Sequence, residues 1–343
     1  MILQSKIDVR IFFRFHLNAV LMQDIFPCLL KLDANSLKRK HKKLKKYAPL
    51  LRLIAGIICL IILTTMRLLA QEKIIEGKVI IENNVEYANP DNQHLQVNMA
   101  RPSEGNGPFP AVLFIHGGGF RAGDRQGYDG MIRQMAQRGY VAATVTYRLA
   151  PKYPFPAAIY DVKAAVRWLR GNAAKYHIDP ERIGATGGSA GGHLAQFLGV
   201  TADVKEFEGN EGNLDQSSRV ACVVNYFGPS DFTQSYGKSV DAAEVLPLFL
   251  GGNLEQARQK HIVASPLYWV TPHAAPTLCL HGTKDNYVAV EQAQWLVDKL
   301  KATGVEAELI KFEGAGHGFG GETAQKADEA MFAFFDKHLK KNL

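Results

Sequence analysis

Arg182-Ile183-Gly184-Ala185-Thr186-Gly187-Gly188-Ser189-Ala190-Gly191-Gly192 decides the fold. A short apolar run ends in Gly-x-Ser-x-Gly, placed where a strand turns sharply into a helix. A serine on such a corner projects its hydroxyl into open space, and the next main-chain N–H, that of Ala190, points at whatever the oxygen attacks. Gly187 and Gly191 flank the serine where a side chain would collide with a neighbouring strand or helix. The pentapeptide alone is a weak signal, because glycine loops that contain a serine are common. Its meaning depends on what else the chain supplies, and in what order.

Upstream, Phe109-Pro110-Ala111-Val112-Leu113-Phe114-Ile115 is an apolar strand candidate that ends in His116-Gly117-Gly118-Gly119-Phe120. Consecutive glycines after a buried strand leave N–H groups bare and able to approach a ligand. Such donors can hold the negative oxygen of a tetrahedral intermediate, each typically worth roughly 2.7–4 kcal/mol. The alternative is a flexible glycine loop. His116 is expected to brace that loop rather than act as a base.

A serine nucleophile needs a base, and the base needs an orienting acid. The chain has 11 histidines, so position must choose. A late strand at 309–312 is followed by the glycine-rich loop 313–320, which carries His317. A buried strand at 277–280 is followed by His281-Gly282-Thr283-Lys284-Asp285, with Asp285 on the loop. The order Ser189, Asp285, His317 is nucleophile, acid, base. Loops after strand C-termini in an open α/β sheet converge on one edge, where distant residues can meet. The rivals are weaker. His281 precedes the acid, and His193 lies one helical turn after Ser189, where it would pack under the corner. Asp231 is the alternative acid. Asp161 is expected to cap its helix or brace a loop.

The chain resembles esterases of the hormone-sensitive-lipase-like and feruloyl/acetyl-xylan-esterase-like branch of the α/β-hydrolases. The resemblance rests on His116–Phe120, Tyr147-Arg148-Leu149-Ala150-Pro151, residues 161–169, Gly187–Gly192, His281–Asp285 and Gly316-His317-Gly318-Phe319, and covers roughly 73–340. It implies Ser189 as nucleophile, His317 as base, Asp285 as acid, and the N–H groups of Gly117, Gly118 and Ala190 as oxyanion donors. It implies no cofactor. One departure is informative. Hormone-sensitive-lipase-type members often carry a substantial N-terminal helical cap, whereas residues 73–108 are strand-like here. That favours the xylan-esterase-like branch and an open cleft.

The wider pattern predicts an α/β-hydrolase fold: a mostly parallel central sheet with helices on both faces and a small lid insertion. Strands are expected at 141–147 and 220–227. Helices are expected at 157–175, with Ile159, Val162, Val166 and Leu169 on one face, at 290–302 and at 324–339. Residues 233–276 are the largest insertion between strands and the lid candidate. Residues 203–218 have the composition of a surface excursion. There is no internal repeat.

The formal net charge is +7, yet residues 1–70 hold 13 Lys or Arg against 3 Asp or Glu, so residues 71–343 carry −3. The basic excess belongs to the leader and gives no support to a nucleic-acid partner. Residues 38–46 form a dense positive block, 53–63 a nearly pure apolar run, and Leu68-Leu69-Ala70-Gln71 follows. This predicts a secretory signal peptide cleaved near Ala70 and an exported protein. The alternative is an uncleaved anchor at 53–66, the one route to membrane attachment. Residues 71–343 are the length of a single catalytic domain. Of the cysteines, Cys28 and Cys59 lie in the leader. Cys222 and Cys279 lie in strand runs and are expected to be free core thiols. No cysteine–histidine set has metal-ligand spacing, so no metal is expected.

The expected partner is a small-molecule or carbohydrate ester. Phe120 and Tyr128 are the candidate substrate contacts, and Arg121 is expected to shape the pocket with them. Tyr236, Tyr268 and Trp269 belong either to the core of the insertion or to a stacking surface. An amide or peptide hydrolase on the same fold is the alternative function.

Overall fold

The computed structural model describes residues 73–202 and 204–340. The features assigned to the leader, including Cys28, Cys59, the apolar run at 53–66 and the boundary at Ala70, lie outside the described residues.

Nine strands form one sheet: β1 (Lys73–Glu76), β2 (Val79–Ala88), β3 (Leu95–Pro102), β4 (Phe109–Ile115), β5 (Val141–Val145), β6 (Ile178–Gly188), β7 (Cys222–Tyr226), β8 (Thr277–Gly282) and β9 (Ala307–Phe312). Their spatial order is β1-β2-β3-β5-β4-β6-β7-β8-β9. The first three pairings along that order are antiparallel, and every pairing from β5 to β9 is parallel.

The parallel strands are continuous apolar runs because both their faces are covered. In β4, Ala111, Leu113 and Ile115 enter one core, and Val112 and Phe114 enter the other. This is the two-residue alternation of a strand made apolar on both sides. The first core packs under α2 (Ala157–Gly171) and α3 (Ala190–Val200), the second under α1 (Asp129–Gln137) and the closing helix α7 (Gly321–Leu339). A third cluster joins Cys279 and Ala307 to Leu296 and Leu300 of α6 (Glu291–Ala302).

The chain leaves β4 for β5 on one side and returns as β6 on the other. Strand order therefore reverses at β4, and a crevice opens beyond the carboxyl ends of β4 and β6, where open α/β sheets bind ligands. His116 follows the first of these strands directly and Ser189 the second.

Several expected boundaries shift. The helix predicted at 157–175 stops at Gly171 and resumes as a single turn, Ala173–Tyr176. Strand β6 begins at Ile178, which pairs with Phe109 before the apolar run; residues 179–182 then bulge out of register, with Arg182 paired to Asp179, until Ile183 meets Ala111. Residues 204–218 are more than a surface excursion. Glu208 accepts from the fully buried Lys163 and from Arg167, and Phe207 packs between Phe155, Phe197 and Trp269. Residues 233–276 carry two helices, α4 (Ala242–Leu250) and α5 (Arg258–Val263). Phe249 and Leu250 of α4 are core residues, and the Phe249 ring stacks 3.9 Å from that of Phe120. Cys222 and Cys279 are free and buried. They face different cores across β7 and β8, which accounts for the absence of a bridge. Among the described residues no helix is long and apolar enough to cross a membrane.

Candidate active site

Ser189 sits between β6 and α3 at φ 57°, ψ −120°. Few residues other than glycine adopt that conformation; it costs of order 1–3 kcal/mol and persists only where the surroundings enforce it. They do. The Ser189 N–H donates to the Tyr226 carbonyl at 2.9 Å, and its own carbonyl accepts from His193 at 2.9 Å. Gly187 and Gly191 both face the Ile115 carbonyl, with no room for a Cβ on either. Strand β4 thus presses on the corner from one side and Tyr226 of β7 holds it from the other.

The three residues separated along the chain meet here. His317 Nε2 lies 2.9 Å from Ser189 Oγ, and His317 Nδ1 lies 2.7 Å from Asp285 Oδ2. The Asp285 side chain is fully buried. Its Oδ1 accepts from the N–H groups of Tyr287 at 2.9 Å and Val288 at 2.8 Å. Burial alone would raise the Asp285 carboxyl. Hydrogen bonds from His281, His317 and the Val288 N–H outweigh it and hold the group well below the usual carboxylate range. The arrangement fixes Nδ1 as the protonated nitrogen of His317 and leaves Nε2 to accept from the serine hydroxyl.

Gly117, Gly118 and Gly119 line the groove beside Ser189. Gly118 has φ 111°, and a Cβ there would overlap the Ala122 carbonyl. Ala190 is the first residue of α3, so its N–H has no acceptor within its own helix. His116 braces the loop, as expected. Its Nδ1 bonds the Gly117 carbonyl at 2.8 Å, its ring stacks on Tyr147 at 4.3 Å, and Tyr147 Oη donates to its carbonyl. Burial lowers its basicity.

The rival residues lie elsewhere. Asp231 caps the turn Phe232–Gln234, accepting from Thr233 and Tyr268, and does not bond His317. His193 is fully buried, with Nε2 2.7 Å from the Ala264 carbonyl. Asp161 braces a loop rather than capping α2. It grips Arg148 at Nε (3.0 Å), at Nη2 (2.8 Å) and at the main-chain N–H (2.7 Å). His281 is buried behind Asp285.

Two cavities share Ser189. One is mainly apolar, with Phe120, Ala190, Phe232, Val245, Leu246 and Val288 among its walls and Lys238, Asp241 and Gln292 as its polar lining, and has a volume of about 80 Å³. The other is an open groove of about 600 Å³ lined by the glycine loop, Arg121, Tyr128, Phe227, Tyr287 and His317. Phe120 and Tyr128 therefore stand on opposite sides of the serine. Burial raises the Tyr128 phenol to about 12. The guanidinium of Arg121 is paired with Glu244 at the rim. Tyr236, Tyr268 and Trp269 line neither cavity. Tyr236 bonds His261, and Trp269 donates to the Val263 carbonyl.

Sequence reasoning missed Phe227, Tyr287 and Asp241. Phe227 sets its edge 4.8 Å from the His317 ring, and Tyr287 lies 5.2 Å from it on the other loop. Asp241 and Tyr287 both line the two cavities. Tyr287 follows Asp285 by two positions, a signal that was available. Asp241 lies in the insertion, where no spacing marks it. Among the described residues no cluster of His, Cys, Asp and Glu could hold a metal ion.

Comparison with known proteins agrees with this architecture. Esterase LipC of Mycobacterium tuberculosis is 34% identical over 219 residues, covering 62% of this chain and 53% of LipC. The chain spans about half the length of the curated relatives it matches. A truncated carbohydrate esterase from gut microbiota superposes with a TM-score of 0.69 at 29% identity, over 79% of this chain and 100% of that one. A thermophilic esterase, Est2 of Thermogutta terrifontis, gives 0.65 at 27% identity, over 78% of this chain and 97% of that one. Residues 97–300 match the BD-FAE family model, and the chain belongs to that family of α/β-hydrolases.

Proposed function

We propose that this chain is a serine esterase that removes short acyl groups from bulky, hydroxylated alcohols, carbohydrates foremost. The observation that carries the reading is the continuous relay from Ser189 Oγ through His317 to the buried Asp285 carboxylate. Ser189 attacks the ester carbonyl as His317 Nε2 takes its proton, and Asp285 stabilises the imidazolium. The N–H groups of Ala190, Gly117 and Gly118 stabilise the oxyanion. The imidazolium returns its proton to the departing alkoxide, leaving an acyl-enzyme. Water, deprotonated by the same histidine, releases the acid.

The two cavities support an assignment of the two halves of the ester. The group that protonates the leaving oxygen must face the leaving alcohol. His317 lines the open groove and not the apolar pocket. The alcohol therefore takes the groove, where Tyr128 and Phe227 offer aromatic faces, the acyl group takes the pocket, with room for only a few carbon atoms, and Tyr287 borders both. The Thermogutta esterase holds propionate in one structure and butyrate in another, in keeping with this division.

The experiment is a panel of p-nitrophenyl esters from acetate to octanoate, run beside acetyl-xylan, methyl ferulate and an aryl amide, with Ser189→Ala as the control. Activity should peak at two to four acyl carbons, extend to acetyl-xylan, and fall by several orders of magnitude in Ser189→Ala. Undiminished turnover by Ser189→Ala, or faster cleavage of the amide than of the esters, would overturn the reading.

A further inference from the structure

Asp285 Oδ2 has two imidazole neighbours. His317 approaches it from the cleft at 2.7 Å, and His281 from the protein interior, with Nε2 at 3.3 Å. His281 lies on β8 and is fully buried. Its Nε2 is also 2.8 Å from the Val288 carbonyl, while its Nδ1 is buried with no partner. A carbonyl can only accept, so the proton sits on Nε2 and is donated to Val288, with Asp285 Oδ2 3.3 Å from the same nitrogen. The other carboxylate oxygen is already satisfied by two main-chain N–H groups of the loop.

The consequence is geometric. The loop 283–288 wraps the carboxylate, and the His281 ring ties the end of that loop and the carboxylate to one strand. Without this second donor, Oδ2 would keep His317 alone, in a pocket no water reaches, and an under-satisfied buried carboxylate is costly. The acid would relax toward other donors, and the imidazole it orients would move with it. His281 lines neither cavity, so it acts without touching substrate.

We propose that His281 is a positioning residue for the reaction, its Nε2–H, anchored on the Val288 carbonyl and in contact with Asp285 Oδ2, holding in place the oxygen that orients His317. The proposal rests on the esterase reading above. It separates His281 from the core histidine His193, whose ring bonds a main-chain carbonyl and no side chain of the relay.

The test compares His281→Leu, which removes the donor, with His281→Gln, whose amide can keep an N–H near the same place, using p-nitrophenyl acetate. The expected loss in kcat for His281→Leu lies between about tenfold and the roughly hundredfold typical of a 1 Å misplacement. KM should stay within about twofold, and His281→Gln should recover most of the loss. The far-downfield proton resonance of the His317–Asp285 hydrogen bond should broaden or move upfield in His281→Leu and persist in His281→Gln. In an Asp285→Asn background, His281→Leu should cost little more, because the two act as a unit. Unchanged kcat and resonance in a folded His281→Leu would overturn the proposal, as would a full additional loss in the Asp285→Asn background. If His281→Leu does not fold, His281→Gln decides by itself: a resonance lost despite its donor refutes the positioning role, and one retained together with most of kcat supports it. Activity retained by Ser189→Ala would instead refute the esterase reading, whatever His281 does.

Discussion

Gly191 and Ile115 are in backbone contact: the Gly191 Cα faces the Ile115 carbonyl so closely that a Cβ would overlap its oxygen, and a second carbonyl, that of His116, stands 2.7 Å from the same point. This closeness lets α3 start against the end of β4 and sets Ser189 beside the glycine loop. Gly191→Ala must push two backbones apart. The expected destabilisation is at or beyond the upper end of the ~1–3 kcal/mol typical of overpacking, with loss of activity. Gly127, with open space around its Cβ position, is the control. Gly127→Ala should leave stability unchanged or slightly raised. Thermal unfolding of the two variants checks the contrast, and equal midpoints would contradict it.

Ser189 holds a backbone conformation suited to glycine. Strain of this kind persists at sites where it serves chemistry. Ser189→Gly should therefore raise stability by about 1 kcal/mol while abolishing turnover, a trade of activity for stability. Ser189→Ala keeps the Cβ and should abolish turnover without that gain. Denaturant unfolding of the three proteins measures the difference. A Ser189→Gly variant less stable than Ser189→Ala would show that the corner is not strained.

The sequence made the corner, the glycine loop and the order of the three site residues legible because each is written in local chemistry. A glycine is required where backbones touch, and apolar runs mark strands covered on both faces. The buried end of the site was not legible in the same way. The order of residues does not say that His281 and His317 reach one carboxylate from opposite sides, since that depends on how the loop after β8 folds back. Nor does composition reveal that Lys163 reaches Glu208, because a lysine on an apolar helix looks misplaced until its partner loop is packed. The walls of the apolar pocket were hidden for a related reason. Val245 and Leu246 lie in an insertion whose packing is set by Phe249 against Phe120, a contact between residues far apart in the chain.

Leu246 closes the apolar pocket beside Ser189. Leu246→Ala removes several carbons from that wall and should move the preferred acyl chain toward longer esters. Each added methylene that becomes buried is worth about 0.8 kcal/mol, or roughly fourfold in kcat/KM. The ratio of hexanoate to acetate hydrolysis should therefore rise by about tenfold or more. Tyr128→Phe, on the groove side, should leave that ratio unchanged and alter the response to the alcohol instead. A shift in acyl preference caused by the groove variant alone would reverse the assignment of the two cavities.

His193 gives the folded protein a sensitivity to acid that is separate from catalysis. Burial pushes its imidazole down to about 4, against an unfolded value near 6.5. Between those two values the unfolded chain binds a proton that the folded chain refuses, so stability falls as pH drops from about 6.5 to about 4. The full loss from this one group is about 3 kcal/mol, and below about 4 it adds no further slope. His116 and His261 are lowered by burial too and act in the same direction. Asp285, whose carboxyl is held low, acts in a different window: its contribution is present at neutral pH and is lost only below the usual carboxylate range. His193→Gln keeps a donor toward the Ala264 carbonyl but cannot titrate. Its stability at pH 7 should be lower than that of the parent, yet its decline between pH 6.5 and 4.5 should be shallower. Denaturant midpoints taken across that range test the slope, and parallel curves for the two proteins would remove His193 as the source.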